Sequence, residues 1–114
     1  MTTIKNMNLT INNGIATLLL DMHGQKVNKL SFAFLEELDE IIEALKNDIT
    51  IKVLIIDSAK KRIFVAGADI NEIKEFNDQT TAFKMLIRGD EILTKIERLS
   101  IPTIAYVNGA CMGG

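Results

Sequence analysis

The first half of the chain predicts a hairpin followed by a helix. Two apolar runs, residues 9–11 and 15–20, are separated by Asn12-Asn13-Gly14. Asn-Gly between such runs is a strong hairpin signal, because both residues tolerate positive φ. The second run is continuous rather than alternating, which is typical of a strand covered on both faces. Ser31 then stands at the N-cap of a helix whose apolar stripe is Phe34, Leu35, Leu38, Ile41, Ile42 and Leu45.

The second half predicts two further strands and a long helix. Residues 51–57 are apolar and β-branched, so that strand, helix and strand imply a right-handed crossover with a parallel pair. A helix is expected from a cap at Asp78 to about Leu99, with close packing as the reason for Gly89. Pro102 ends that helix before a strand at residues 103–107. Residues 63–70 are expected to form a shaped loop without a regular element, because the segment is short and interrupted by glycine.

The last seven residues, 108–114, form a glycine-rich segment after the final predicted strand. Such a segment normally introduces a helix, and no helix follows. We therefore expect residues 1–114 to be the N-terminal part of a single longer domain.

Composition narrows the class of protein. Apolar residues make up 47% of the 114 and charged residues 25%, which is typical of a globular domain. The net charge of −2 provides no field that would attract nucleic acid. The single cysteine, Cys111, excludes an internal disulfide and a multi-cysteine metal site, and no apolar run approaches the ~18 residues of a membrane span. We expect a cytoplasmic protein with no bound metal, no nucleic-acid partner and no membrane span.

Two glycine-containing segments, residues 66–69 and 112–114, each follow a short apolar stretch. Segments without bulky side chains let a ligand approach the backbone, and adjacent free N–H groups can hold a developing oxyanion. Each such donor is worth roughly 3–4 kcal/mol in transition-state stabilisation. Spacing alone leaves a second interpretation open, in which both segments are tight turns without a ligand.

Other candidate groups also have a structural interpretation. Lys60-Lys61-Arg62 is a basic run that suits either a phosphorylated ligand or a solvated surface. The only histidine, His23, lies in a polar turn, and Cys111 lacks an activating base. Glu72 and Glu75 have helical spacing and suit acid–base work, but exposed carboxylates usually only solvate the surface.

Several ordered motifs together resemble the crotonase (enoyl-CoA hydratase/isomerase) superfamily. They are Val27-Asn28-Lys29-Leu30, residues 64–70, Ile101-Pro102-Thr103-Ile104-Ala105 and residues 108–114. Within the superfamily, the Val-Asn-Lys-Leu motif and the Gly-Ala-Cys-Met-Gly-Gly ending are most similar to the N-terminal hydratase domains of multifunctional fatty-acid oxidation α-subunits. The resemblance implies an α/β fold, the crotonase-like spiral of ββα units, of which the chain holds the N-terminal part.

The resemblance also implies a binding site for an acyl-CoA thioester. The peptide N–H groups of Ala68 and Gly114 correspond to the pair that holds the thioester oxygen in this superfamily. Lys60 or Lys61 would meet the CoA phosphates. The remaining residues implied to line the substrate path are Val27, Lys29, Ala66, Gly67, Asp69, Ile70 and Gly113.

The reaction implied is the addition of water to a trans-2-enoyl-CoA during fatty-acid β-oxidation. In the superfamily two glutamates position the water, the first a few residues beyond the Gly-Gly pair and the second roughly a helix later. Residues 1–114 contain neither, so we expect this chain alone to be inactive. Another reaction of the superfamily, such as enoyl-CoA isomerisation or thioester hydrolysis, remains an alternative, as does a noncatalytic acyl-CoA-binding or assembly module.

The same resemblance sets expectations for cofactors and partners. Coenzyme A enters as part of the substrate, so that no separate cofactor is expected. NAD would be needed only if a dehydrogenase domain follows. A homo-oligomer, or a subunit of a fatty-acid oxidation complex that contains a thiolase, is expected.

Overall fold

Six strands and three helices follow one another along residues 5–114, the part of the chain that the computed structural model describes. In chain order they are β1 (Met7–Asn12), β2 (Ile15–Leu20), α1 (Phe32–Lys46), β3 (Val53–Ser58), β4 (Ile63–Val65), α2 (Ile70–Lys74), α3 (Gln79–Glu97), β5 (Thr103–Ala105) and β6 (Ala110–Cys111).

Four of the strands form one sheet in the order β1-β2-β3-β5. β1 and β2 are the predicted antiparallel hairpin, and its turn places Asn13 at φ 51° and Gly14 at φ 80°. β2 and β3 are parallel across α1, and β3 and β5 are parallel across α3. The predicted hairpin and the predicted parallel pair on either side of α1 are therefore confirmed.

The predicted loop at residues 63–70 is wrong in part, because it contains β4 and the first residue of α2. β4 pairs in parallel with β6, which belongs to the segment predicted as a glycine-rich turn. A strand of three residues has little pattern of its own, and its partner lies more than forty residues further along the chain. The local sequence therefore gave no signal for this second, two-stranded sheet.

Both predicted helix caps are confirmed. Ser31 Oγ accepts a hydrogen bond from the Phe34 N–H at 3.2 Å, and Asp78 Oδ1 accepts one from the Thr81 N–H at 2.7 Å. α3 ends at Glu97, two residues before the predicted end. Each cap satisfies a backbone donor that the first turn of a helix leaves without a partner.

The core joins α1 to one face of the main sheet. On β2, Ala16, Leu18 and Leu20 are buried, while Thr17 and Leu19 on the opposite face are half-buried. Within residues 5–114 the second face of β2 is thus less completely covered than its sequence predicts. None of the helices within residues 5–114 combines the length and the apolar composition that a membrane span needs.

α1 and α3 pack against each other beside the sheet. Close packing is the predicted reason for Gly89 in α3. A Cβ at this position would lie 3.5 Å from Leu35 Cδ1, an ordinary van der Waals distance, so the packing of α3 on α1 does not require a glycine here. Polar contacts accompany the packing: Asp39 of α1 accepts hydrogen bonds from Arg88 at 2.9 Å and from Lys95 at 2.7 Å.

Candidate functional site

The two glycine-containing segments leave neighbouring parallel strands at the same end. Val65 of β4 is opposite Cys111 of β6, and the Met112 N–H donates to the Val65 carbonyl at 3.0 Å. Ala68 follows Val65 by three residues, and Gly114 follows Cys111 by three. The two residues therefore occupy equivalent positions beyond one register pair.

The backbone turns sharply ahead of each of these positions. Gly67 has φ +99° and Gly113 has φ +65°, both in the left-handed region that favours glycine. A Cβ on Gly67 would also lie 3.2 Å from the Met112 carbonyl oxygen, so the two segments approach each other closely here. These turns set the direction of the next peptide N–H, which belongs to Ala68 in one segment and Gly114 in the other.

Both of those N–H groups are available to a ligand. Within residues 5–114 neither the Ala68 N–H nor the Gly114 N–H donates a hydrogen bond, and both residues are exposed. Two unpaired N–H groups at the ends of adjacent strands can bind one oxygen that carries negative charge.

A third segment, residues 28–30, runs beside the first loop. The Ala66 N–H donates to the Asn28 carbonyl and the Leu30 N–H to the Gly67 carbonyl, each at 2.8 Å. Leu30 and Ala68 form an isolated parallel bridge. The Leu30 side chain also reaches the second loop, because a Cβ on Gly114 would stand 2.5 Å from Leu30 Cδ1.

Two apolar pockets meet at this point and share Leu30 and Leu93. One, of about 180 Å³, has Gly113 and Gly114 in its wall together with core residues of the sheet and α1. The other, of about 250 Å³, lies between α2 and α3 and has Ala68 in its wall. The two candidate donors thus border adjoining apolar spaces, as an acyl thioester would require.

The remaining predicted residues surround the first loop in different ways. Val27 and Lys29 are half-buried on either side of the buried Asn28. Asp69 is the N-cap of α2, and its Oδ1 accepts a hydrogen bond from the Asn71 N–H at 3.0 Å. Ile70 is exposed over 65% of its surface.

The two lysines predicted to meet CoA phosphates differ sharply. The Lys60 ammonium makes three contacts within its own surroundings: the carbonyls of Met22 at 2.9 Å and Gln25 at 2.7 Å, and Asp21 Oδ1 at 2.8 Å. These contacts account for all three of its hydrogens. Lys61 is exposed and lies next to it.

Glu72 has a structural partner that its sequence position did not reveal. Its Oε1 accepts a hydrogen bond at 3.0 Å from the N–H of Phe32, the first residue of α1. Glu75, in contrast, is the exposed C-cap residue of α2. Of this pair, only Glu72 links two elements near the first loop.

Asn28 is the residue near the site whose importance sequence reasoning missed. It is fully buried, and the two hydrogens of its Nδ2 are shared among three acceptors, Leu20 O at 3.2 Å, Ser58 Oγ at 3.0 Å and Phe64 O at 3.1 Å. Its Oδ1 accepts a hydrogen bond from the Met22 N–H at 2.9 Å. In the sequence Asn28 is one of two polar residues in the Val-Asn-Lys-Leu segment, and nothing there distinguishes it as the buried one.

Within residues 5–114, no group of three or more His, Cys, Asp or Glu side chains is placed to hold a metal ion. Cys111, which lines the smaller pocket just ahead of the second loop, is an exposed free thiol. The chemistry of the site therefore depends on peptide N–H groups and apolar surface.

Comparison with known proteins places this arrangement in one family. A family model described as enoyl-CoA hydratase/isomerase matches residues 10–114. The chain is 39% identical over 111 residues to the fatty acid oxidation complex subunit alpha of Shewanella halifaxensis, covering 96% of this chain and 16% of that subunit. It is 40% identical over 101 residues to the subunit of the same name from Shewanella frigidimarina, covering 89% of this chain and 14% of that subunit.

A solved enoyl-CoA hydratase from Geobacillus kaustophilus superposes with a TM-score of 0.86 at 30% identity. The match covers 95% of this chain and 40% of that structure. The chain therefore spans less than half of the hydratase fold and a still smaller part of the α-subunits. Over the matched part, the strands and helices follow the crotonase arrangement, and the chain belongs to the enoyl-CoA hydratase/isomerase family.

Proposed function

We propose that this chain is the N-terminal part of an enoyl-CoA hydratase domain of fatty-acid β-oxidation, and that Ala68 and Gly114 form its oxyanion hole. The observation that carries the proposal is the equivalent position of the two residues beyond the paired strands, each with an unpaired N–H. The names of the relatives, fatty acid oxidation complex subunit alpha, supply the metabolic class.

In the proposed reaction water adds across the double bond of a trans-2-enoyl-CoA. The water oxygen bonds to C3 and gives up one proton to the acid–base groups outside residues 1–114, the π electrons move toward the thioester, and the thioester oxygen takes on negative charge. A proton then bonds to C2, and the product is a 3-hydroxyacyl-CoA. The two N–H groups stabilise the charged intermediate more than the substrate, which is what accelerates the step.

The proposal assigns the other named residues to substrate binding. Ala66, Gly67, Asp69, Ile70 and Gly113 line the path of the thioester and pantetheine, together with Val27 and Lys29. Of the two lysines expected near the CoA phosphates, we assign Lys61 to them, because the hydrogens of the Lys60 ammonium are already engaged.

Water activation lies outside residues 1–114 in this proposal. General acid–base groups typically contribute ~10²–10⁴-fold to a rate. In the superfamily that task belongs to the two glutamates beyond the Gly-Gly pair. Glu72 is not assigned to it, since one of its carboxylate oxygens accepts the Phe32 N–H.

The proposal extends to partners and compartment. The substrate brings the coenzyme A, so the hydration itself uses no separate cofactor, and NAD belongs only to a dehydrogenase domain further along the chain. We place the protein in the cytoplasm as a homo-oligomer, or as a subunit of a fatty-acid oxidation complex with a thiolase. The single free cysteine is consistent with a reducing compartment.

Isotope labelling tests the reaction class. A C-terminally extended version from the same gene is incubated with a short trans-2-enoyl-CoA in ¹⁸O-labelled water, and the products are weighed by mass spectrometry. Hydration gives a heavier thioester that carries one labelled oxygen. An isomerised thioester without label would indicate an isomerase, and free CoA would indicate a thioester hydrolase. Substrate that binds but stays unchanged would indicate a noncatalytic acyl-CoA-binding module. Each of these results would contradict the proposed hydration.

A further inference from the structure

Asn28 connects more elements than any other residue near the candidate oxyanion hole. Its side chain joins three strands: it contacts the last residue of β2 (Leu20), the last residue of β3 (Ser58) and the central residue of β4 (Phe64). Within residues 5–114 no buried side-chain nitrogen or oxygen lacks a hydrogen-bond partner. Because hydrogen bonds are directional, a fully satisfied buried amide fixes the position of its own backbone.

That backbone in turn holds the loop that carries Ala68. The Asn28 carbonyl accepts the Ala66 N–H at 2.8 Å, and two residues later the Leu30 N–H donates to the Gly67 carbonyl at 2.8 Å. These two bonds lie on either side of the turn at Gly67, whose φ of +99° directs the following peptide. The path from the Asn28 side chain to the Ala68 N–H therefore passes through two short backbone hydrogen bonds.

We infer that Asn28 is a positioning residue for the oxyanion hole, which sets the direction of the Ala68 N–H through the strand-like segment 28–30. The inference rests on the proposed function, because it gives the Ala68 N–H a thioester oxygen to bind. Asn28 itself is fully buried, so it acts through the loop and not by touching the substrate.

An apolar side chain at position 28 could fill the same space in the core, but it could not set the direction of the Ala68 N–H. Packing forces have little directional preference, whereas the amide holds the segment by hydrogen bonds to both its oxygen and its nitrogen. A displacement of about 1 Å in a group that contacts the reacting atoms can reduce a rate about a hundredfold. Loss of the amide should therefore lower kcat more than it weakens substrate binding.

The test uses the C-terminally extended version and the variant Asn28→Asp. The carboxylate has almost the same shape but offers no hydrogen to the carbonyls of Leu20 and Phe64. We expect kcat for enoyl-CoA hydration to fall about ten- to a hundredfold while KM changes less than about threefold. Infrared spectra of a bound acyl-CoA labelled with ¹³C at the thioester carbonyl supply the second readout, because a hydrogen-bonded carbonyl stretches at lower frequency. That lowering should be smaller in the variant.

Two further variants separate positioning from stability. Ser58→Ala removes one acceptor from the Asn28 amide. It should shift kcat and the carbonyl frequency in the same direction as Asn28→Asp, by a smaller amount. This variant replaces Asn28→Asp in the test if Asn28→Asp does not fold. Leu45→Ala truncates a buried side chain near the C-terminal end of α1 and should lower stability without moving either readout.

Each outcome then has one meaning. Native kcat and carbonyl frequency in Asn28→Asp, or in Ser58→Ala where the first variant is not folded, would overturn the inference and leave Asn28 as a stabilising residue. If the unsubstituted protein binds acyl-CoA with a lowered carbonyl frequency but hydrates nothing, the proposed function fails. The infrared comparison would still decide the role of Asn28.

Discussion

Gly113 and Gly24 have nearly the same backbone conformation, with φ +65° and +68°, and a Cβ on either would meet nothing within 4 Å. Alanine at each position should therefore introduce similar backbone strain, about 1–2 kcal/mol. Of these two glycines, only Gly113 directly precedes a proposed oxyanion donor, which is Gly114. We expect Gly113→Ala to lower kcat of the extended version at least about tenfold and Gly24→Ala to leave kcat unchanged.

Steady-state kinetics of the two variants, with urea unfolding as a check on equal stability, measure this difference. Equal kcat values for Gly113→Ala and the unsubstituted protein would argue against Gly114 as a donor. Equal losses in the two variants would mean that strain alone, wherever it lies, lowers the activity.

Gly109 and Gly89 form a second pair, which differs in available space. A Cβ on Gly109 would overlap the backbone of Arg62 and Ile63, whereas one on Gly89 would lie 3.5 Å from Leu35 Cδ1. We expect Gly109→Ala to lower the free energy of unfolding by about 2 kcal/mol or more, because backbone atoms of β4 must move. Gly89→Ala should raise it by about 0.5–1 kcal/mol through helix propensity. Urea titrations decide both, and a harmless Gly109→Ala would contradict the close β4–β6 approach.

At the level of single residues, the sequence predicts those whose partners are close in the chain. Ser31 and Asp78 cap their helices by bonding an N–H three residues ahead, which a local pattern reveals. Asn28 and Lys60 have partners up to 36 and 38 residues away, so their structural roles appear only in the folded chain. The roles of Ala68 and Gly114 in binding a thioester oxygen stay predictions.

Between elements, the contact of α1 with α3 contains the most concentrated charge cluster of the described residues. The Lys95 ammonium, and after it the Arg88 guanidinium, hold the pKa of the Asp39 carboxyl below its usual range. The same cluster lowers the pKa of Glu36, chiefly through its hydrogen bond from Arg88. Both carboxylates thus favour the folded chain while they are ionised.

The sign of the resulting pH dependence follows from those lowered pKa values. The stabilisation is fully present above the ordinary carboxyl pKa and is lost as the pH falls through the lower pKa of the folded state. We expect Asp39→Asn to lower the free energy of unfolding by about 1–2 kcal/mol at neutral pH and to flatten its decrease below pH about 4. Urea unfolding between pH 7 and about pH 3 measures both effects. Glu40→Gln, at an exposed carboxylate of the same helix, is the control, and an equal effect there would contradict the assignment to Asp39.

At the scale of elements, hydrophobic periodicity predicted the long helices and the parallel crossover, because each has enough residues to show a period. It failed at β4 and β6, where three and two residues pair across the chain. Those two short strands bring the candidate donors together. The part of the fold that matters most for the site was therefore the part that local pattern revealed least.

At the scale of the whole molecule, apolar side chains are exposed around β5 and the segment after it. Ile104 is exposed over 52% of its surface, Tyr106 over 60% and Val107 over 50%. β5 has β3 on one side only within the described sheet. Unpaired strand edges with apolar side chains promote association.

We therefore expect residues 1–114 on their own to associate as concentration rises, which light scattering measures. Ile104→Lys should reduce the association, because a charge on an edge strand opposes strand pairing. Ile49→Lys removes an apolar side chain that is 97% exposed but lies in a turn and not on a strand, and it should have little effect. A monomer at high concentration in the unsubstituted chain would contradict this expectation.

We propose that residues 1–114 supply the oxyanion hole of a hydratase but not its acid–base groups. The most direct measurement follows the loss of enoyl-thioester absorbance when a short enoyl-CoA is mixed with residues 1–114 and, in parallel, with the C-terminally extended version from the same gene. We predict that the extended version consumes the substrate and that residues 1–114 alone do not. Turnover by residues 1–114 alone would mean that their own carboxylates suffice, and would overturn the proposal that the acid–base groups lie outside these residues.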